Sequence, residues 1–364
     1  MNPVPPVPAL QPRTIDEVVA AVRPGGKLLP VGAGTKPALA VTPPGFAALS
    51  LAGLSGIVEY DPGEFTFTAL AGTPLREIAA ALGRHGQHLP FDPPFAAAGA
   101  TLGGTIGAGL SGPGRQRYGG VRDFILGVRF VTGAGELVRG GGKVVKNAAG
   151  FDLPKLLVGS LGRLGVIVEA TFKVFPRPRA MATLRVDFPD LAAALAALAR
   201  VAAAPFDVEA LDLEPPGRLF IRLGGAPETF AERLERLARF VGGAPEVREG
   251  AADEALWLAL QPATAAIGAG LLVKVPVTAK AIPELDRLLG EAGAARRYSA
   301  GANVAWVTWP GTAAALDGLL RSRGLAGLVL AGEADHPLLG ITRGDNFRRR
   351  VKAALDPAGC FPEY

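Results

Sequence analysis

The spacing of apolar and polar positions changes period repeatedly along this chain. Residues 15–22 (IDEVVAAV) carry apolar side chains at helical spacing, and Thr14 with Glu17 has the form of a capping box. Pro24-Gly25-Gly26 closes that helix, and residues 27–31 (KLLPV) read as a strand. Residues 56–61 and 65–71 read as paired strands across the turn Asp61-Pro62-Gly63. Thr73-Pro74 opens a second helix with proline at its first position, and Leu75, Ile78, Ala79 and Leu82 fall on one face. The glycine-rich residues 99–120 read as a long loop. Strands follow at 125–132 and 136–139 across Gly133-Ala134-Gly135, then a short helix at 152–157 and a strand at 166–174. Pro176-Arg177-Pro178 marks a domain boundary.

Beyond it, strand-like runs (183–188, 208–213, 219–223, 271–277, 304–309 and 328–330) alternate with helix-like ones (191–203, 228–241, 279–292 and 313–322). That order predicts a smaller α+β domain with an antiparallel sheet covered by helices, followed by a last helix at 345–355. Trp306 and Trp309 lie three apart on one predicted strand and so face opposite sides, which leaves one of them available to an interface. Trp257 reads as a core or interface aromatic.

Composition sharpens this picture in three places. The 364 residues suit two or three domains, and with 49% hydrophobic and 20% charged residues the chain is globular; its 49 glycines and 32 prolines lie between periodic runs. A single cysteine, Cys360, excludes an internal disulfide and a cysteine-ligated iron–sulfur cluster within the chain, so any such cluster belongs to a partner. His85, His88 and His336 offer little for a metal centre; Gly86 and Pro90 break the helix that would bring His85 and His88 together, and no metal site is expected.

The N-terminal MNPVPPVPALQP lacks the basic and apolar regions of a signal peptide, and the apolar runs are too short and interrupted to span a membrane. A cytoplasmic protein is expected. The net charge of +5 includes the run Arg348-Arg349-Arg350, read as a solvated helix face; without interleaved aromatics it does not suggest nucleic-acid binding.

Two segments carry the chemistry: Pro30-Val31-Gly32-Ala33-Gly34-Thr35-Lys36, and a stretch from Thr101 that begins TLGGTIGAGLSG. Glycines there let backbone amides approach a phosphorylated ligand. Gly32-Ala33-Gly34 supplies only half of a dinucleotide fingerprint, since Pro37 stands at the third glycine, and no Walker A loop, GxSxG elbow or HExxH is present.

The ordered set PVGAGTK, TLGG, YGGVRDFILG and GSLGRLGVIVE resembles the PCMH-type FAD-binding domain of the vanillyl-alcohol oxidase family, and KNAAGFDL with LVGSLGRLGV is similar to its glycolate oxidase FAD subunits. The likeness spans roughly residues 29–178 and returns faintly in LDPAGCF. It implies two subdomains gripping FAD over residues 1–179, an α+β cap domain over 180–335, and a C-terminal segment, 336–364, returning to the FAD domain. It further implies that Pro30, Gly32, Ala33, Gly34, Thr35 and Lys36 wrap the pyrophosphate. Thr101, Gly103, Gly104 and Thr105 would run along the pyrophosphate and flavin edge, Ala108, Ser111 and Gly112 would continue that contact, and Gly165 and Ile167 would lie beside the adenine.

Many relatives carry a histidine that bonds covalently to the flavin; Thr35 is its counterpart here, which implies non-covalent FAD. The metal-binding motif of related D-2-hydroxyacid dehydrogenases is reduced to Ala331-Gly332-Glu333-Ala334-Asp335-His336-Pro337. Asp123 and Asp152 are either caps or cofactor contacts; Lys146 and Asn147 are either local structure or a flavin or partner contact; Arg115, Arg117 and Arg122 are either surface residues or FAD-phosphate contacts.

The resemblance implies a subunit of a glycolate oxidase, passing a hydride from C2 of a 2-hydroxy acid to flavin N5, or relaying electrons. Its partners would be a GlcD-type sister FAD subunit and a GlcF-type iron–sulfur subunit, with peripheral inner-membrane docking through that complex left open. The catalytic base is not identified. A non-catalytic assembly subunit that keeps the FAD-binding fold is the alternative, and an independent FAD oxidase of another alcohol is a third reading.

Overall fold

A computed structural model describes residues 10–142, 151–262 and 270–363 of the chain. The first helix, Ile15–Val22, is capped by Thr14, whose hydroxyl accepts from Glu17 N at 3.2 Å. The Glu17 carboxylate reaches back to Arg13 N at 2.7 Å, one residue before the usual capping-box donor. Strand Leu28–Val31 follows and pairs in parallel with Ala47–Ser50. A five-stranded sheet stands beside this pair in the order Ile57–Asp61, Thr66–Leu70, Val166–Lys173, Ile125–Val131, Leu137–Gly141.

The second helix is Leu75–Gly83, with Pro74 as its extended N-cap rather than its first turn. The chain from 99 to 120 is not one loop: Leu102–Ala108 and Arg115–Tyr118 are helical, and Val121–Phe124 follows directly. Glycine content signals a loop, but Thr101 supplies an N-cap, and Leu102, Thr105 and Ile106 bury one side of the first of these helices.

From Ala180 the chain builds a nine-stranded sheet, antiparallel throughout. Three of its strands, Glu246–Glu249, Ala295–Ser299 and Leu338–Gly340, escape the hydrophobic pattern because they are short or rich in charge. Helix Gly250–Ala259 is likewise additional, and the run expected as one helix at 279–292 divides into a 3₁₀ turn, Ala279–Ala281, and the helix Ile282–Glu291 with proline in its first turn.

One face of this sheet packs on its helices through Leu184, Leu211, Ile221, Val273, Tyr298, Val307 and Trp309. The other face meets the first half of the molecule: Leu272, Val304, Trp306 and Leu330 belong to the same core as Phe91, Phe124 and Phe172. Trp306 and Trp309 therefore face opposite sides, as a period of two requires, and both are buried.

The last helix, Asp345–Leu355, leads the chain back to the first core. Leu28 N donates to Cys360 O at 2.7 Å and Gly133 N to Leu355 O at 2.9 Å. The buried Lys352 ammonium donates to Asp356 Oδ2 at 2.6 Å and to the carbonyls of Arg163 and Phe361, each at 2.8 Å, so its three protons are all used. Among the described residues no helix is long and apolar enough to cross a membrane.

Candidate functional site

A cleft opens where the loop after strand Leu28–Val31 meets the helix Leu102–Ala108 and the segment 161–167. Some 720 Å³ of empty space lies within it, part of which is open solvent. Gly103, Gly104, Gly107 and Ala108 present one nearly bare helix face to it, since positions i, i+1, i+4 and i+5 share a side. Thr101 Oγ1 caps this helix by accepting from Gly104 N at 3.3 Å. At the other end Gly109 takes φ +60°, while Gly159 N and Leu161 N donate to the Ile106 and Gly107 carbonyls at 2.9 and 2.8 Å. The turn that satisfies the helix thereby also forms a cleft wall.

Glycine is required where the segments touch. A methyl on Gly32 would run into Thr101 Oγ1, and one on Gly165, at φ +153°, would sit 2.8 Å from the Phe130 ring. Gly104 is the exception that faces the ligand space: its nearest neighbours would be Thr101 Oγ1 at 3.1 Å and Lys36 Nζ at 4.0 Å.

Lys36 is the charged element of the cleft. Its side chain is only 8% exposed, and its ammonium donates to Thr35 Oγ1 at 3.1 Å and stands 5.6 Å from the centre of the Phe95 ring. No carboxylate pairs with it among the described residues. Burial without a counter-ion pushes the ammonium down to about 8.

Most of the expected cofactor contacts meet here: Pro30, Gly32, Ala33, Gly34, Thr35, Lys36, Thr101, Gly103, Gly104, Ala108, Gly165 and Ile167 all line the cleft. Three do not. Thr105 is turned into the core, Ser111 Oγ accepts from Val121 N at 2.9 Å, and Gly112 is held against Asp92. Leu161 and Gly162 are further lining residues that sequence reasoning omitted, as is Gly107, which its four-residue spacing from Gly103 could have flagged.

Residues 6–141 match the FAD binding domain family. This chain carries a PCMH-type FAD-binding domain. Over 130 residues it is 55% identical to glycolate oxidase subunit GlcE of Escherichia coli K12, an alignment covering 36% of this chain and 37% of that one. A D-lactate dehydrogenase of Archaeoglobus fulgidus is 39% identical over 132 residues, covering 36% of this chain and 29% of its own. The matched stretch is thus well under half the length of either relative. The solved structure of an alkyldihydroxyacetonephosphate synthase shares the fold, with a TM-score of 0.68 over 97% of this chain and 75% of that one at 16% identity.

The FAD-binding domain suits its cofactor on physical grounds. A bare glycine face, the loop at 32–36 and an uncompensated buried ammonium converge on one cleft, which gives a diphosphate close backbone approach and a positive charge.

The remaining candidates lie elsewhere. Asp123 accepts from Gly120 N at 2.8 Å and Asp152 from Lys155 N at 3.3 Å, so both cap short helices. His85 meets the Tyr60 ring edge-on, and His88 Nδ1 lies 3.2 Å from Phe175 O. Burial lowers His88 to about 4. His336 is exposed, and among the described residues no group of three metal-ligating side chains forms. Lys146 and Asn147 lie outside the described residues. Trp257 is buried and donates to Thr183 Oγ1 at 2.7 Å.

Arg117 bridges the two halves of the molecule, pairing with Glu209 at 2.6 Å and donating to Asp207 O at 2.7 Å, while Tyr118 OH donates to Glu209 at 3.2 Å. Desolvation raises Glu209 against the opposing pull of Arg117. Nearby, burial raises Asp92 to about 6 although Gly114 N donates to it at 2.9 Å.

Proposed function

We propose that the chain is the FAD-carrying subunit of a glycolate oxidase-type assembly that oxidises 2-hydroxy acids. The observation that carries the reading is the convergence of Lys36, the Thr101-capped helix and its glycine face on one cleft. The names of the relatives, a glycolate oxidase subunit and a D-lactate dehydrogenase, supply the substrate class. FAD, when bound, supplies the two-electron acceptor for a hydride from the substrate's C2. The chain's own contributions are binding and orientation. Lys36 neutralises part of the diphosphate charge, the loop amides at 32–36 supply donors to it, the bare face at Gly103, Gly104 and Gly107 lets it approach closely, and Leu161 and Ile167 exclude water from one edge.

Thr35 has no nucleophilic nitrogen to bond to the flavin, so FAD is held non-covalently. The division of the chain into residues 1–179, a cap of 180–335 and a returning segment of 336–364 belongs to the same reading. So do a GlcD-type sister subunit, a GlcF-type iron–sulfur subunit and a cytoplasmic or peripherally membrane-docked location.

The test is to reconstitute the purified chain with FAD, remove the excess, and add glycolate or D-lactate anaerobically. Bleaching of the flavin bands supports direct oxidation. Bands that persist in the chain alone but bleach after addition of a GlcD-type partner assign substrate oxidation to that partner and electron relay to this chain. Bands that bleach in neither case overturn the oxidoreductase reading and leave an assembly subunit.

A further inference from the structure

A second hollow shares a wall with the cofactor cleft, since Leu161 lines both. Its volume is about 230 Å³, and an apolar cavity of roughly 150 Å³ already takes a benzene ring. Leu156, Val158, Leu338 and Val351 give it an apolar lining, drawn from the helix Leu153–Leu157, the turn after it, strand Leu338–Gly340 and the last helix. Ser160 lines it too; this residue is 3% exposed, and its Oγ has no hydrogen-bond partner among the described residues. Phe347, a lining residue that is itself 65% exposed, marks the rim. A lone exposed aromatic needs no explanation, but an exposed aromatic beside an apolar hollow is the composition of an interface core.

The charge around the hollow is one-sided. Arg350 follows Phe347 by three residues on the last helix and so lies on the same side of it. Arg343 stands in the turn between strand Leu338–Gly340 and that helix. Both arginines are exposed, and neither pairs with a carboxylate among the described residues. Their neighbours are engaged: Arg348 pairs with Asp345, and Arg349 donates to Asn346 Oδ1 at 2.6 Å.

We propose that this hollow receives a tyrosine side chain of the GlcD-type sister subunit, framed there by carboxylates. The choice of that subunit as occupant rests on the proposed function. The ring fills the apolar space, its hydroxyl meets Ser160 Oγ, and the flanking carboxylates pair with Arg343 and Arg350. Gly159 N and Leu161 N, which hold the last carbonyls of the cofactor-lining helix, belong to the shared wall. The partner thus touches the wall of the cleft without entering it.

Calorimetric titration of the full chain with a purified GlcD-type subunit, at low and high salt, tests this. Val351→Phe, which fills the hollow, and Arg350→Glu, which reverses the rim charge, should each weaken association by about tenfold or more. FAD stoichiometry should stay unchanged in both, and Arg350→Glu should show a shallower salt dependence than wild type. Equal affinity of wild type and both variants refutes the surface and leaves the assembly standing. No association of the wild-type pair refutes the assembly and its occupant together. A dimer of the chain alone that is lost in Phe347→Asp gives the hollow to a second copy and likewise overturns the proposal. Should Val351→Phe fail to fold, Arg350→Glu and Phe347→Asp decide, since both side chains are exposed: unchanged affinity refutes the surface.

Discussion

Gly32→Ala offers a sharp test of how the two glycine segments are coupled. The added methyl meets Thr101 Oγ1, the atom that caps the helix by accepting from Gly104 N at 3.3 Å. The next nearest atoms, Thr101 Cβ and Gly104 Cα, are both at 3.7 Å and would tolerate it. Rotating the hydroxyl away relieves the contact and removes the cap, which costs about 1 kcal/mol. In a domain of this size that lowers the melting temperature by roughly 2–4 °C. Thr101→Ala loses the same cap directly. If the two act through one atom, Gly32→Ala should be nearly silent in the Thr101→Ala background, giving a coupling of about 1 kcal/mol. Melting curves of the four FAD-free proteins provide the cycle. A Gly32→Ala loss of equal size in both backgrounds would refute the contact.

Three further outcomes follow from the charged and buried groups. Lys36 is depressed to about 8 in the folded chain against an ordinary 10.5, so its buried charge destabilises the FAD-free protein below pH 8, and this penalty fades as pH rises to 10.5. Lys36→Met should therefore unfold at higher urea than wild type at pH 7, with the gain gone near pH 10.5, while FAD affinity falls; wild-type FAD affinity should itself decline as pH rises above 8, and a flat profile in calorimetry would count against a charge contact. Arg117→Ala strands the buried Glu209 and should cost about 3 kcal/mol by urea unfolding, near the lower end for a broken buried pair because Arg117 is itself partly exposed, whereas the Arg117→Ala/Glu209→Gln double variant should recover much of it. Cys360 is fully buried beside Gly133, with its thiol raised by desolvation first and Asp356 second, so a thiol reagent should label it only on unfolding; labelling at the same rate in the folded chain would place the C-terminal segment elsewhere.

What the sequence disclosed depended on the range of the forces involved. The helix Leu191–Ala203 was legible because its apolar spacing is local; the structure adds Asp190 as its N-cap. Strand Ala295–Ser299 was not: two of its residues are arginines whose partners, Asp286 and Asp212, come from other elements. The helix Leu102–Ala108 was hidden by its glycines, which have low intrinsic helix propensity; its N-cap and the turn at 159–161 stabilise it instead. Pro30 to Lys36 and Gly103-Gly104 could be picked out as ligand-facing because close backbone approach demands glycine in a recognisable order. Ser111 and Gly112 continue the same motif in sequence, yet the chain turns after Gly109 and carries them away from the cleft. Lys274 has no motif; only the docking of the sheet on the helix end brings its ammonium to Gly109 O, 3.2 Å away.

The most direct test of the account is an FAD titration of the wild-type chain beside Gly104→Leu, followed by acid precipitation of the complex. Gly104 faces the cleft, and a leucine there would occupy the space beside Lys36, its Cβ 3.1 Å from Thr101 Oγ1. The account predicts one FAD per wild-type chain, released into the supernatant by acid, and no FAD on a Gly104→Leu chain of unchanged circular dichroism. Equal binding by both proteins, or no binding by wild type, would contradict it.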